Sequence, residues 1–230
     1  MSNRTILVLG AGPGIGRSVA SLFGYKRFNT VVLIARRAQG LEVEQKAIEE
    51  ETGPQVQVAT YALDITKTDD LIKALDDADA HFGKPEVVFY NAARVLPSAF
   101  FTHAVEDIEY DFKINVSALY VISQRYVRHM VELAKSDDSS KPALIVTSSA
   151  LPQNPIPELF ALSLVKAAQR NLVQSLNLTY APKGVHIGVI NVSGVVSPEE
   201  ENRNPKNIAE KAWEWFEAAR ENPSFEVVIS

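Results

Sequence analysis

The sequence lacks cysteine altogether, and several other residue types are scarce. Its 230 residues include two methionines and two tryptophans. The absence of cysteine excludes disulfide bonds, thiolate metal ligands and cysteine nucleophiles. Hydrophobic residues make up 46% and charged residues 22%, a balance that excludes a disordered, collagen-like or disulfide-stapled chain. A chain of this length can bury a sizeable core, and we expect one domain spanning residues 1–230.

The sequence also lacks an excess of positive charge. Lysine and arginine number 23 against 28 acidic residues, which gives a formal net charge of −5. Nucleic-acid-binding proteins normally carry a basic surplus or a basic stripe, so we expect no nucleic-acid partner. The four histidines show no metal-ligand spacing and no acidic cluster joins them, so we also expect no metal site.

Long hydrophobic runs are missing as well. No stretch approaches the ~18 consecutive apolar residues that a membrane helix needs. The first apolar run, residues 6–9, is too short for the core of a secretory signal and leads into glycines. We therefore expect a cytoplasmic protein with no membrane partner.

What the sequence does contain is an alternation of short apolar runs and longer helical patterns. The apolar runs lie at 5–9, 30–35, 56–61, 86–90, 143–147, 185–192 and 225–229. The helix candidates lie at 15–25, 40–51, 68–82, 104–135, 157–180 and 206–221. Runs rich in valine, isoleucine and leucine are typical of strands buried on both faces of a parallel sheet. The alternation predicts an α/β fold of the Rossmann type, with a doubly wound seven-stranded parallel sheet and helices on both faces.

Local signals mark some of the helix ends. Gly24 and Gly83 each follow an apolar helical pattern, which predicts that a helix ends at each glycine. Asp69 and Asp70 fall where the first turn of a helix would favour negative charge. Pro205 is a candidate first residue for the last helix, because its missing N–H has no helical partner there.

A glycine-rich turn follows the first predicted strand. Gly10, Gly12, Gly14 and Gly16 lie between that strand and the first predicted helix. Such a turn lets the backbone approach a pyrophosphate, and the helix N-terminus supplies N–H groups and a positive dipole. A tight turn without a ligand would look the same in isolation. Its place at the start of a β–α–β pattern favours dinucleotide binding.

The end of the second predicted strand indicates which dinucleotide. Folds that bind NAD commonly place an acid about 20 residues after the glycines, to hold the ribose 2′-hydroxyl. Here position 36, which is 20 residues past Gly16, is an arginine. A guanidinium suits a 2′-phosphate in charge and geometry. The sequence therefore favours NADP(H) over NAD(H), the alternative being two solvated arginines, Arg36 and Arg37, at a strand end.

These motifs resemble those of the short-chain dehydrogenase/reductase family over nearly the whole chain. The spacing of Gly10, Gly14 and Gly16 is similar to that family's form of the dinucleotide motif. Further segments that resemble family motifs are Leu63-Asp64-Ile65, Tyr90-Asn91-Ala92-Ala93, Ile114-Asn115-Val116, Thr147-Ser148-Ser149 and Asn191-Val192-Ser193-Gly194. Two of them depart from the family: the second keeps half of an Asn-Asn-Ala-Gly motif, and Ser193 stands where proline is usual.

The resemblance implies an NADP(H)-dependent oxidoreductase that acts on a small carbonyl or alcohol substrate. It also implies a homodimer or homotetramer formed through two long central helices. The cofactor contacts that it implies come from Gly10, Gly12, Gly14, Ile15, Gly16, Arg36, Asp64, Ile65, Asn91, Ala92, Lys166 and Gly194. The catalytic residues that it implies are Ser149, Lys166 and Asn115.

The family's Tyr-x-x-x-Lys motif is incomplete in this sequence. Lys166 fits the lysine, but the tyrosine position is Leu162, which lies 13 residues after Ser149 as the family spacing requires. In the family the phenol gives a proton to the carbonyl oxygen, and leucine can neither donate nor accept one. The proton could come from Lys166, directly or through water, or from Asn154 or Glu158 in the preceding loop.

Two other functions stay open at this point. The protein could be an NADP(H)-binding sensor or scaffold that has lost turnover. It could also be a non-redox enzyme, such as a cyclase or an isomerase, built on the same fold.

Overall fold

The computed structural model describes residues 4–218 and 224–230. The strands are β1 (Thr5–Leu9), β2 (Thr30–Ala35), β3 (Gln57–Ala62), β4 (Val87–Tyr90), β5 (Ala143–Ser148), β6 (His186–Val192) and β7 (Glu226–Ile229). The α-helices are α1 (Ile15–Lys26), α2 (Ala38–Thr52), α3 (Thr68–Phe82), α4 (Val105–Phe112), α5 (Ala118–Ser136), α6 (Phe160–Tyr180) and α7 (Pro205–Glu217). A π-helical segment, Lys113–Ser117, joins α4 to α5, and a short 3₁₀ turn, Ala181–Lys183, follows α6.

The strands form one sheet in the order β3-β2-β1-β4-β5-β6-β7. Every pair of neighbours is parallel. The chain moves outward from β1 to β3, returns to place β4 beside β1, and then moves outward to β7. The predicted doubly wound seven-stranded sheet is confirmed. In such sheets, ligands bind beyond the carboxyl ends of the strands where the order reverses, here between β1 and β4.

Two apolar cores cover the two faces of the sheet. Alternate residues of β1 point to opposite sides, so that Ile6 and Val8 join one core and Leu7 and Leu9 join the other. Helices α1, α2 and α7 cover the first face, and α3, α5 and α6 cover the second. The strands therefore read as continuous apolar runs because both of their faces are buried.

The predicted helix at 104–135 is interrupted in the structure. The backbone N–H of Ala118 bonds to the carbonyl of Lys113, five residues back, where an α-helix would reach four. Asn115 lies within this π-helical segment and is fully buried. The predicted last helix at 206–221 begins with Pro205 at its first position, as expected, and its predicted end lies outside the described residues.

The prediction for Gly24 is wrong, whereas that for Gly83 is confirmed. Gly83 ends α3 with a φ of 75°. Gly24 lies inside α1, where a Cβ atom would approach the side chains of Thr52 and Val31 at 3.2 and 3.3 Å. Glycine is present there because α1 packs closely against β2 and the end of α2. None of the helices in the described part of the chain is long and apolar enough to cross a membrane.

Candidate functional site

The glycine-rich turn forms an open cradle at the carboxyl end of β1. Gly10 has a φ of 84°, and a Cβ atom there would lie 2.6 Å from the backbone nitrogen of Ala92. A Cβ atom on Gly16 would lie 2.7 Å from the carbonyl oxygen of Gly10. In contrast, a Cβ atom on Gly12 or Gly14 would meet nothing within 4 Å. The first pair is needed by the fold, and the second pair faces open space that a ligand can approach.

The side chain of Asn91 holds this turn from the neighbouring strand. Its Nδ2 donates to the carbonyl oxygen of Gly10 at 3.0 Å, and its backbone N–H donates to that of Leu9 at 2.8 Å. Asn91 therefore fixes the turn after β1 relative to the end of β4. The start of α1 is also tied to the turn, since the N–H of Arg17 donates to the carbonyl oxygen of Gly12 at 3.1 Å.

A cleft of about 270 Å³ extends from this turn across the ends of β1, β2, β3 and β4. The predicted cofactor residues that line it are Gly10, Gly12, Arg36, Asp64, Ile65, Asn91 and Ala92. Others lie outside it: Gly14, Ile15 and Gly16 at the start of α1, Lys166 on α6, and Gly194 after β6. The cleft thus corresponds to one end of the predicted dinucleotide site.

Two cationic side chains border the cleft at the end of β2. Arg36 and Arg37 are exposed, and neither guanidinium forms an ion pair with a described residue. Both residues line the cleft. Two exposed guanidinium groups beside an open glycine turn have the charge and geometry to hold a phosphate group.

Asp64 presents an ionised carboxylate to the same cleft. Its Oδ2 accepts from the phenol of Tyr110 at 2.8 Å, and its Oδ1 accepts from the backbone N–H of Thr66 at 3.0 Å. Burial opposes ionisation, but these hydrogen bonds and the charge of Arg36 outweigh it and lower the pKa of Asp64. The carboxylate is therefore fixed as a hydrogen-bond acceptor.

Sequence reasoning missed one ion pair at the cleft. Glu44 on α2 lines the cleft, is buried, and accepts from the guanidinium of Arg17 at 2.5 and 3.0 Å. The pair leaves neither residue with an uncompensated charge. No spacing signal connects these two residues, because they lie on different helices that the tertiary fold brings together.

The second half of the predicted site is centred on Lys166, which is 6% exposed. Its Nζ donates to the carbonyl oxygen of Thr147 at 3.0 Å and to Oε1 of Gln169 at 2.8 Å. Burial in a region of low polarity disfavours the charged form and lowers the pKa of Lys166 to about 8. A lysine with this pKa can both give and take a proton near neutral pH.

Leu162 lies one helical turn before Lys166 and is packed in an apolar cluster. The cluster contains Leu151, Leu162 and Val165, with Leu159 packed against it. Leu162 is 5% exposed, so its side chain belongs to the protein interior. The position at which the resemblance predicts a tyrosine is thus occupied by hydrocarbon in contact with hydrocarbon.

Asn115 is connected to Lys166 through a third side chain, whereas the hydrogen bond of Ser149 is made to the loop that follows it. The Oγ of Ser149 accepts from the backbone N–H of Leu151 at 3.3 Å. Asn115 is linked to Lys166 through Gln169, whose Nε2 donates to the carbonyl oxygen of Asn115 at 2.8 Å. Sequence reasoning missed Gln169: its spacing from Lys166 places both residues on one helical face, but nothing in the sequence indicates the contact with Asn115.

The loop before α6 carries the two other side chains considered as proton donors. Asn154 and Glu158 are both exposed. The carbonyl oxygen of Glu158 accepts from the N–H of Ser98 at 2.8 Å, and the Oγ of Ser98 accepts from the N–H of Ala161 at 3.1 Å. These bonds join the loop after β4 to the start of α6.

Comparison with known proteins identifies similar sequences. A family model described as short chain dehydrogenase matches residues 4–208. Glucose 1-dehydrogenase of Gluconobacter oxydans is 27% identical over 197 residues, which cover 86% of this chain and 71% of that protein.

Solved structures share the fold at low sequence identity. A short-chain dehydrogenase from Sphingobium yanoikuyae in complex with NADPH has a TM-score of 0.81 and 20% identity, covering 98% of this chain and 87% of that one. A short chain oxidoreductase from Pseudomonas aeruginosa, described as containing an atypical catalytic center, has a TM-score of 0.83 and 18% identity, covering 99% and 95%.

Proposed function

The chain belongs to the short-chain dehydrogenase family, and on that premise we propose that it is an NADP(H)-dependent oxidoreductase in which Lys166 supplies the proton. The reaction interconverts a carbonyl group and an alcohol on a small molecule. The observation that carries the proposal is the buried Lys166, whose pKa of about 8 suits proton transfer near neutral pH. No tyrosine stands at position 162 to perform that step.

The geometry of the cleft and the resemblance to the family together support the proposed cofactor contacts. Arg36 would bind the 2′-phosphate, and the open face of the glycine turn would bind the pyrophosphate. The contacts proposed for the remaining parts of the cofactor are those of Asp64, Ile65, Asn91, Ala92, Lys166 and Gly194. The relative from Sphingobium yanoikuyae, which was solved with NADPH, supports the choice of cofactor class.

When bound, the reduced nicotinamide supplies a hydride to the carbonyl carbon. Ser149 would donate a hydrogen bond to the carbonyl oxygen and so hold the substrate. The ammonium of Lys166 would give its proton to that oxygen as it becomes a hydroxyl, and the resulting amine would be reprotonated from solvent. In the reverse direction the neutral amine of Lys166 would accept the proton of the alcohol.

The choice of cofactor is tested at Arg36. We expect Arg36→Ala to weaken NADPH binding about 10- to 100-fold, because a hydrogen bond to a charged group is worth ~1.5–3 kcal/mol. NADH binding should change little, since NADH has no 2′-phosphate. Isothermal titration calorimetry with both cofactors measures this. Arg128→Ala, which removes an exposed arginine on α5, is the matched control. Equal losses for both cofactors would contradict the proposal.

The reaction is tested by turnover. Loss of NADPH absorbance with a broad panel of aldehydes and ketones would support it, and Lys166→Met should reduce that rate about 10²- to 10⁴-fold.

A second candidate function, an NADP(H)-binding protein without turnover, is favoured by the burial of Leu162 in its apolar cluster. NADPH binding with no absorbance change across the panel would select this second candidate.

We also propose that the chain forms one domain and assembles into a homodimer or homotetramer. Large apolar side chains are exposed on three helices: Phe112 on α4, Tyr120 on α5 and Leu164 on α6. Both α4 and α5 pack against α6. Exposed apolar surface on neighbouring helices favours association.

A further inference from the structure

We propose that Gln169 is a positioning residue, whose side-chain amide connects Asn115 to Lys166 and holds the Lys166 ammonium in one place. The inference deepens the proposed function and rests on the role that it gives to Lys166. Gln169 is 1% exposed and lies one helical turn after Lys166 on α6. A polar side chain this deeply buried must satisfy its hydrogen bonds within the protein.

The orientation of the Gln169 amide is fixed by its two neighbours. The carbonyl oxygen of Asn115 can only accept a hydrogen bond, so the Gln169 NH₂ group must face it, at 2.8 Å. The ammonium of Lys166 can only donate, so Oε1 of Gln169 must face it, at 2.8 Å. A rotated amide would put two acceptors together at one end and two donors at the other. The amide therefore presents the negative end of its dipole to Lys166.

The same arrangement limits where the Lys166 ammonium can point. Of its three N–H bonds, one is directed to the carbonyl oxygen of Thr147 and one to Gln169. One N–H bond remains for a ribose hydroxyl or a substrate oxygen. Two anchors on different elements, the end of β5 and helix α6, hold a long and otherwise flexible side chain in one rotamer.

Among the described residues, no charged side chain forms an ion pair with Lys166; its side-chain partner is the neutral amide of Gln169. Three ionisable groups on the elements packed around it have other partners: Asp111 with Arg94, Arg170 with Glu226, and Tyr90 with the Ile114 carbonyl. Desolvation is the cause of the lowered pKa of Lys166. The amide of Gln169 is the side-chain group that contacts the Lys166 Nζ, and so it is best placed to hold that atom in position.

The test measures the Lys166 side chain directly, by NMR of a protein labelled with ¹⁵N at lysine Nζ and titrated with acid and base. We expect Gln169→Glu to raise the ionisation midpoint of Lys166 by about one pH unit or more, because an opposite charge within ~4–6 Å favours the ammonium. Gln169→Met removes the acceptor and should lower the midpoint. Gln174→Met, at an exposed position on the same helix, should leave it unchanged.

A second measurement separates positioning from packing. The pH dependence of kcat should shift in the same direction as the NMR midpoint in each variant, whereas a purely structural role would lower thermal stability and leave the midpoint in place. A Gln169→Glu protein that folds and keeps the original midpoint would overturn the proposal. If Gln169→Met does not fold, Gln169→Glu alone decides the question.

The outcomes also distinguish this inference from the proposed function. Shifted NMR midpoints in a protein that never oxidises NADPH would support the role of Gln169 and contradict turnover. Unchanged midpoints in an active enzyme would contradict the role of Gln169 and leave the reaction standing.

Discussion

Leu162 stands where the sequence resemblance predicts a tyrosine. Its side chain is packed with Leu151 and Val165 in the interior, so this position is filled by apolar packing that includes the loop before α6. Lys166 lies four residues later on the same helical face, as the Tyr-x-x-x-Lys spacing requires. The chemical effect of a hydroxyl at position 162 can therefore be tested separately from the effect of a larger side chain on the packing of α6.

Two substitutions at this position separate them. Leu162→Tyr and Leu162→Phe both enlarge a buried side chain and should each cost about 1–3 kcal/mol of stability. Only the tyrosine variant adds a phenol close to the Lys166 ammonium, which would lower the phenol's pKa. We expect the kcat of NADPH-dependent reduction to be at least about 10-fold higher for Leu162→Tyr than for Leu162→Phe. Equal rates in stopped-flow assays would show that the added hydroxyl does not reach the reacting oxygen.

The ionisation of Lys166 sets a prediction on pH. Because its pKa is lowered to about 8, the lysine is an ammonium below that pH and a neutral amine above it. In the proposed reaction, reduction consumes a proton from the ammonium, so its kcat should fall as the pH rises through about 8. Oxidation needs the amine, so its kcat should rise over the same interval. Both are measured at saturating cofactor from pH 6 to about 10.

A control for this pH dependence is Lys166→Arg. A guanidinium stays charged throughout the range, so any activity that remains should show no inflection near pH 8. An inflection that persists in this variant would assign the titration to a different group.

At the scale of elements, the turn between β1 and α1 combines two kinds of glycine. Gly16 is needed by the packing, since its Cβ atom would lie 2.7 Å from a backbone oxygen. Gly12 lines the cleft, and its Cβ atom would touch nothing. Gly16 is therefore required for folding, whereas Gly12, four residues earlier, is available for ligand binding.

This contrast gives a paired prediction. Gly12→Ala should keep the melting temperature of the parent protein and weaken NADPH binding at least about 10-fold, because the methyl group occupies the space of a ligand. Gly16→Ala should lower stability by about 1–3 kcal/mol, although alanine is otherwise the better helix former. Differential scanning fluorimetry and calorimetry read the two effects. A stable Gly12→Ala protein with parental affinity would show that the cofactor does not approach this turn.

The elements were predictable from sequence wherever burial dominates the residue choice. The runs at 5–9 and 30–35 coincide with β1 and β2, because strands buried on both faces admit few polar residues. The π-helical segment at 113–117 was not predictable, since its apolar spacing reads as continuous helix. Gly24 was assigned to a helix end because a glycine's contacts with a neighbouring helix leave no trace in local sequence.

The residues of the candidate site also fall into those that the sequence predicted and those that it did not. Gly10, Asp64 and Asn91 were placed at the cleft by motifs that keep fixed positions after strands. Gln169 has no motif, and its role depends on a hydrogen bond to Asn115, 54 positions earlier in the chain. Contacts of this kind arise when α6 packs on the π-helical segment, and only a three-dimensional structure reveals them.

On the scale of the whole molecule, the parallel sheet gathers the candidate residues at one edge. The carboxyl ends of β1, β2, β3 and β4 supply the cleft, and the end of β5 supplies the carbonyl that holds Lys166. Because all seven strands run in the same direction, residues from distant segments of the chain converge on that edge. The opposite edge contributes nothing to this cleft.

The exposed apolar side chains on α4, α5 and α6 lead to a prediction about how copies of the chain assemble. Phe112, Tyr120 and Leu164 are 43%, 54% and 54% exposed, and an interface between copies of the chain would remove this apolar surface from water. We expect light scattering to give the mass of a dimer or tetramer. The triple change Phe112→Glu, Tyr120→Glu and Leu164→Glu should shift the protein toward monomer, because it would bury carboxylates in the interface.

A matched control is Tyr25→Glu, which changes a side chain that is 69% exposed on α1, on the other face of the sheet. This variant should keep the parental mass, since surface charge alone has little effect on association at an interface it does not touch. A monomeric parent protein, or an equal loss of mass in both variants, would contradict assembly through α4, α5 and α6. If the triple variant is monomeric and retains NADPH binding, the cofactor site is complete within one chain.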